Sequence, residues 1–117
     1  MSDLPQYERD ERPWGYFERF TNNAPSTVKI LCVRAGEAFS LQTHEKRDEF
    51  WRVIGGTGVL TIGEQTHEVV VGDEFFIPKT VVHRAEGTAE DLYLLEIAFG
   101  EFDERDIVRL EDKYGRT

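Results

Sequence analysis

Short runs of β-branched and aromatic residues, broken every few positions by glycine or proline, constrain the fold of this chain most. The runs span residues 27–34, 38–42, 49–54, 58–62, 67–71, 74–77, 82–86 and 92–98. Between them stand Ala35-Gly36, Gly55-Gly56, Gly63-Glu64, Gly72-Asp73, Pro78-Lys79 and Gly87-Thr88. Apolar and polar residues often alternate within the runs, which is the period of a half-buried strand. No helix-period segment of ten or more residues separates them, so a βαβ arrangement does not fit. The pattern predicts an all-β sandwich or barrel. A length of 117 residues predicts one domain.

Residues 1–11 are polar and acidic and read as a surface arm, and residues 12–100 as the barrel. Residues 101–117 are highly charged, with apolar side chains at 102, 107, 108, 110 and 114. That spacing predicts a helical turn or two ending at Gly115. The single cysteine, Cys32, sits in an apolar run and reads as a small core residue with no internal disulfide partner. Trp14, Tyr16, Phe39, Phe50, Trp51, Phe75, Phe76 and Phe99 also read as core.

A net charge of −9 argues against nucleic acid or an anionic membrane as partner. No apolar run approaches the roughly 20 residues that span a bilayer. The first residues lack the basic and apolar regions of a signal peptide, and a cytoplasmic location is expected. Basic residues flank the two motifs described next: Lys46, Arg47 and Arg52 near the first, Lys79 and Arg84 near the second. On an acidic chain they suggest a small anionic ligand.

Gln42 and His44 are two residues apart, so on a strand they share a face. Glu49 opens the next run, and His83 follows the Pro78 turn. Together these residues offer two imidazoles, a carboxylate and an amide oxygen, a set suited to a divalent first-row metal. Two of the chain's three histidines belong to it; His67 matches nothing and reads as exposed. A buried Glu49 would be costly without a positive partner, which a metal supplies. Gln42 has two readings, a weak neutral ligand or a hydrogen-bonding group beside the site. The absence of a thiolate from the set argues against a purely structural zinc site.

The first motif runs from Gly36 through Gln42, His44 and Glu49 to Gly56, and the second holds Gly72, Pro78 and His83. Both resemble the two motifs of cupins. Gln42 stands where a histidine is usual, Thr80 where glycine is common, and Gly87 where asparagine is common. The run Ser40-Leu41-Gln42-Thr43-His44 with Arg47-Asp48-Glu49-Phe50-Trp51 resembles the C-terminal cupin domain of type II phosphomannose isomerases. The likeness continues at Arg12-Pro13-Trp14-Gly15, at Ile77-Pro78 with His83-Arg84, and from Asp106-Ile107-Val108-Arg109 to Lys113-Tyr114-Gly115-Arg116.

This resemblance implies an antiparallel jelly-roll barrel spanning residues 1–117, with residues 101–117 folding near its mouth. It implies a metal held by Gln42, His44, Glu49 and His83. Zinc is favoured over manganese, iron, cobalt or nickel. It implies a free-standing mannose-6-phosphate isomerase working through a cis-enediol, in which Arg47, Arg109 and Arg116 grip a sugar phosphate. A homodimer is expected. Arg47 and Glu49 are catalytic candidates, and so are Glu96 and Lys29 as proton-transfer groups. Glu96 and Lys29 could equally pair across the barrel or face solvent. A metal-dependent oxygenase and a non-catalytic sugar-phosphate or metal-binding cupin are the rival readings.

Overall fold

The computed structural model describes residue 4 and residues 6–115. Its strands are β1 (Glu8–Arg12), β2 (Gly15–Arg19), β3 (Ser26–Val33), β4 (Leu41–Thr43), β5 (Arg47–Gly55), β6 (Gly58–Ile62), β7 (Gln65–Val69), β8 (Glu74–Ile77), β9 (His83–Gly87), β10 (Leu92–Gly100) and β11 (Val108–Glu111). Among the described residues no helix forms, so none is long and apolar enough to cross a membrane.

The strands make a hairpin, β1-β2, and two larger sheets, ordered β3-β10-β5-β8 and β11-β4-β9-β6-β7. Every strand pairing is antiparallel. The two larger sheets face each other as an antiparallel jelly roll. Strand β5 shows how the sequence builds it. Arg47, Glu49, Trp51 and Val53 are buried on one face, while Asp48, Arg52 and Ile54 alternate with them on the other. Phe50 shares that second face and is buried too, beneath a small cluster with Leu4 and Ile97 that Tyr7 and Phe20 help to cover. Burial on both faces explains why this run is so nearly continuous in large side chains.

The interior between the larger sheets is divided. Val33, Trp51, Val53, Leu60, Val69, Ile77, Ala85, Leu92 and Leu94 form a continuous apolar core. Burying each large side chain stabilises the fold by about 1.5–3 kcal/mol. The buried polar residues are Ser40, His44, Arg47, Glu49, His83 and Glu96. Trp51 lies at the boundary between the two groups, two residues beyond Glu49 on the same face of β5.

Six expectations are corrected. Residues 8–12 are a strand and not a loose arm, and Arg12-Pro13-Trp14-Gly15 is the hairpin connection, leaving Trp14 74% exposed. Tyr16 is exposed as well. Cys32 is exposed, because β3 turns Lys29, Leu31 and Val33 inward and Val28, Ile30 and Cys32 outward. No helical turn forms before Gly115: residues 108–111 extend and pair with the edge of β4, whose backbone groups decide the conformation. His67 is half-buried on β7 and packs against Phe75, with ring centroids 5.1 Å apart.

Candidate metal centre

Strand register brings the polar groups together. Gln42 on β4 lies opposite His83 on β9 and opposite Arg109 on β11, making one row across the five-stranded sheet. On the facing sheet Ala98 pairs with Glu49, and Glu96 pairs with both Trp51 and Lys29. Glu49 and Glu96 are therefore diagonal neighbours on the inner face.

The ligand atoms of His44, Glu49 and His83 all lie within 4.8 Å of one another. His44 Nδ1–H donates to the Asp106 carbonyl at 2.6 Å, and His83 Nδ1–H donates to the Val81 carbonyl at 2.9 Å. Both rings thereby present an Nε2 lone pair toward Glu49, 3.7 Å from Oε2 for His44 and 3.5 Å from Oε1 for His83. An N–H anchored on a carbonyl with the other nitrogen turned toward the site is the arrangement of a metal-ligating histidine. His83 Nε2 is buried and has no hydrogen-bond partner among the described residues. The donor set, its convergence and this orphaned nitrogen all fit a divalent metal.

Gln42 is placed beside this triad with its amide nitrogen 3.2 Å from His44 Nε2, while its oxygen accepts from the Ser40 hydroxyl at 2.6 Å. The serine hydroxyl can donate or accept, so reversing the amide keeps that bond and turns the oxygen toward the triad. Thr80 explains one departure from the cupin pattern. It adopts φ 71°, the left-handed conformation that glycine takes easily. Its N–H donates to the His44 carbonyl at 2.6 Å, which fixes the turn beside the site.

Arg47, expected to grip a sugar phosphate, is buried beside the triad. It is only 5% exposed. Its Nε donates to Glu49 at 3.0 Å, Nη1 to the Asp103 carbonyl at 3.1 Å, and Nη2 approaches His44 Nε2 at 3.1 Å. The guanidinium lies 4.4 Å from the Phe102 ring centroid. Arg47 thus shares the parity of Glu49 and turns inward as a positive partner for its carboxylate. Ligation at His44 Nε2 requires the Arg47 Nη2 contact to yield, because one lone pair serves one partner.

Lys29 reaches the same cavity but pairs with Glu104 at 3.3 Å. Arg109 lines it too, and its buried Nε has no hydrogen-bond partner among the described residues. Arg116 lies outside the described residues. Asp106 was not legible as a site residue. It works through its backbone carbonyl on His44, and its carboxylate accepts from the Glu45 and Lys46 N–H groups at 3.0 and 2.9 Å. A backbone acceptor leaves no signal in residue type.

Burial raises the Glu49 carboxyl. The hydrogen bond from Glu96, the His83 and His44 charges and Arg47 together outweigh that and hold it below the usual range. Glu96 goes the other way. Burial first, then the Glu49 charge and their hydrogen bond, push it up to about 8. Burial also lowers His83. Both shifts favour a charged Glu49 beside a protonated Glu96.

In metal-free protein the raised Glu96 pKa has a stability consequence. Its contribution is complete below the unfolded value of about 4.5 and is lost as pH rises to about 8. Glu96→Gln keeps a donor toward Glu49 without ionising. The variant is expected to gain on wild type across that window, by on the order of 3 kcal/mol at its alkaline end. Urea unfolding in a chelator at several pH values measures this. Parallel stability profiles would show that Glu96 does not titrate there.

Gln42, His44, Arg47, Glu49 and Glu96 line a cavity of about 230 Å³. A larger hollow of about 620 Å³ lies on the other side of β5 among Phe20, Phe76 and Phe99. It contains no imidazole, so the chemistry belongs to the smaller cavity.

A family model described as mannose-6-phosphate isomerase C-terminal matches residues 2–112. The chain belongs to this family. Among curated relatives of this mannose-6-phosphate isomerase C-terminal domain, the xanthan biosynthesis protein XanB of Xanthomonas campestris pv. campestris is 36% identical over 99% of the chain and 25% of that protein. The mannose-1-phosphate guanylyltransferase RfbM of Salmonella typhimurium is 35% identical over 97% of the chain and 24% of that protein. The chain spans about a quarter of the length of these relatives. A solved cupin 2 conserved barrel domain protein from Rhodopseudomonas palustris superposes with a TM-score of 0.64 at 22% identity, covering 72% of this chain and 58% of that one. That likeness identifies the fold as a cupin.

The relatives correct one expectation. Several of them, RfbM included, carry the name mannose-1-phosphate guanylyltransferase, which points to a different enzyme from the mannose-6-phosphate isomerase expected of this chain. What stands is a cupin domain of a sugar-phosphate-related family with a His/Glu cluster able to hold a metal.

Proposed function

We propose that this domain holds a divalent metal, zinc before manganese, iron, cobalt or nickel, and binds a mannose phosphate beside it. Gln42, His44, Glu49 and His83 would hold the ion, which when bound supplies a Lewis acid for sugar oxygens. One observation carries the anionic ligand. Arg109 stands in the same row as Gln42 and His83, lines the cavity with Gln42, His44 and Glu49, and has a buried Nε without a partner among the described residues, in a chain of net charge −9. Of the two arginines lining the cavity among the described residues, Arg47 is bound to Glu49. Arg109 is the one left to meet a phosphate, in the forked geometry that suits it.

Calorimetric titration of zinc-loaded protein with mannose 1-phosphate, mannose 6-phosphate and mannose tests this. Arg109→Ala should weaken binding of the phosphorylated sugars by about 10- to 100-fold, with zinc content unchanged. Equal affinity in the variant, or equal binding of mannose itself, would overturn the assignment.

A further inference from the structure

Three buried polar atoms lack a hydrogen-bond partner among the described residues: His83 Nε2, Arg109 Nε and Trp51 Nε1. The metal and phosphate readings use the first two. Trp51 remains. Its indole nitrogen can only donate, and a buried donor without an acceptor is costly. The side chain is 1% exposed and lines the cavity. Its ring meets Phe39 and His83 edge-on, with centroids 5.9 and 5.5 Å away. On β5 it follows Glu49 by two residues, and on β10 it faces Glu96. Trp51 and Arg109 belong to the two opposite sheets, so the two unpartnered donors come from facing walls of one cavity.

Resting on the mannose-phosphate reading, we propose that the Trp51 indole N–H is a specificity-determining donor to a sugar oxygen, while Arg109 takes the phosphate. The pair then selects a class of ligand. It must carry an oxygen acceptor at the end away from its phosphate, so a polyhydroxylated phosphate ester binds and an alkyl phosphate of similar size does not gain the second contact.

Nuclear magnetic resonance of zinc-loaded protein with ¹⁵N-labelled indoles reads this directly. The indole of exposed Trp14 is the internal control. Saturation with mannose 6-phosphate should move the Trp51 indole proton downfield and leave Trp14 in place. Inorganic phosphate, which meets only Arg109, should leave both in place. Trp51→Phe should bind mannose 6-phosphate about tenfold more weakly, with zinc content and affinity for inorganic phosphate unchanged. If mannose 6-phosphate binds while the Trp51 indole stays still and the phenylalanine variant matches wild type, the Trp51 assignment falls and the function above stands. If mannose binds as well as its phosphate and moves the Trp51 indole, the phosphate reading falls and Trp51 stands. If no sugar probe binds, both fall. Should the variant fail to fold, the wild-type spectra decide.

Discussion

His83→Ala is expected to leave the protein unable to retain zinc. His83 supplies one of three ligand atoms that lie within 4.8 Å of one another. Its ring is fixed by the Val81 carbonyl, and its Nε2 has no partner to keep. Removing it leaves one imidazole and a carboxylate that Arg47 already neutralises. Losing a mere supporting partner commonly costs 10- to 100-fold in metal affinity, so loss of the ligand itself should exceed about a hundredfold. Elemental analysis after dialysis, and competition with a chromogenic chelator, measure it. A second readout is thermal: zinc should raise the Tm of wild type by mass action and leave that of the variant unmoved. One zinc per chain in the variant at wild-type affinity would remove His83 from the centre.

Gly56→Ala is expected to cost the most stability of any single methyl group added to this fold. Gly56 has φ 75°, and a Cβ there would lie 1.7 Å from the Asp91 carbonyl oxygen. The obstacle is backbone, not the end of a flexible side chain. Either the turn after β5 or the entry to β10 must move, and these strands form the centre of their sheet. A loss above about 4 kcal/mol follows from overpacking and left-handed strain together. That is a large share of the 5–15 kcal/mol typical of a whole domain. Gly63→Ala separates the two causes. Gly63 has φ 60° with nothing within 4 Å of the added atom, so only the conformational cost of about 1–2 kcal/mol applies. Urea unfolding of both variants gives the comparison. Equal midpoints for Gly56→Ala and wild type would refute the clash.

The strands and the grouping of Gln42 with His44 were legible because both depend on local period. Glycine breaks marked the turns, and the two-residue spacing of Gln42 and His44 placed them on one face. The same parity applied to Arg47, Glu49 and Trp51 would have put Arg47 inside, but its charge invited a surface reading. Parity also governs β3, where an apolar run misled about Cys32: such a run cannot say which face meets the core. The C-terminal segment was the hardest. Its apolar spacing suits a helix, and its strand forms only because β4, more than 60 residues earlier, offers an edge. Trp51's unpaired N–H and the Asp106 carbonyl belong to atoms, not residue types, and no pattern reports them. The enzyme class failed for a different reason. A cupin motif describes a site, and the names of the relatives belong to proteins about four times longer.

The Asp106 carbonyl that orients His44 comes from a point 62 residues further along the chain. During synthesis from the N-terminus, His44, Glu49 and His83 emerge before that anchor exists. The nascent barrel therefore holds its imidazoles without the bond that sets the tautomer of His44. Its final ligand geometry dates from the docking of residues 101–107 and the addition of β11. Completion of this candidate metal site is therefore a late event in the folding of the domain, set by a segment that carries none of the candidate ligands.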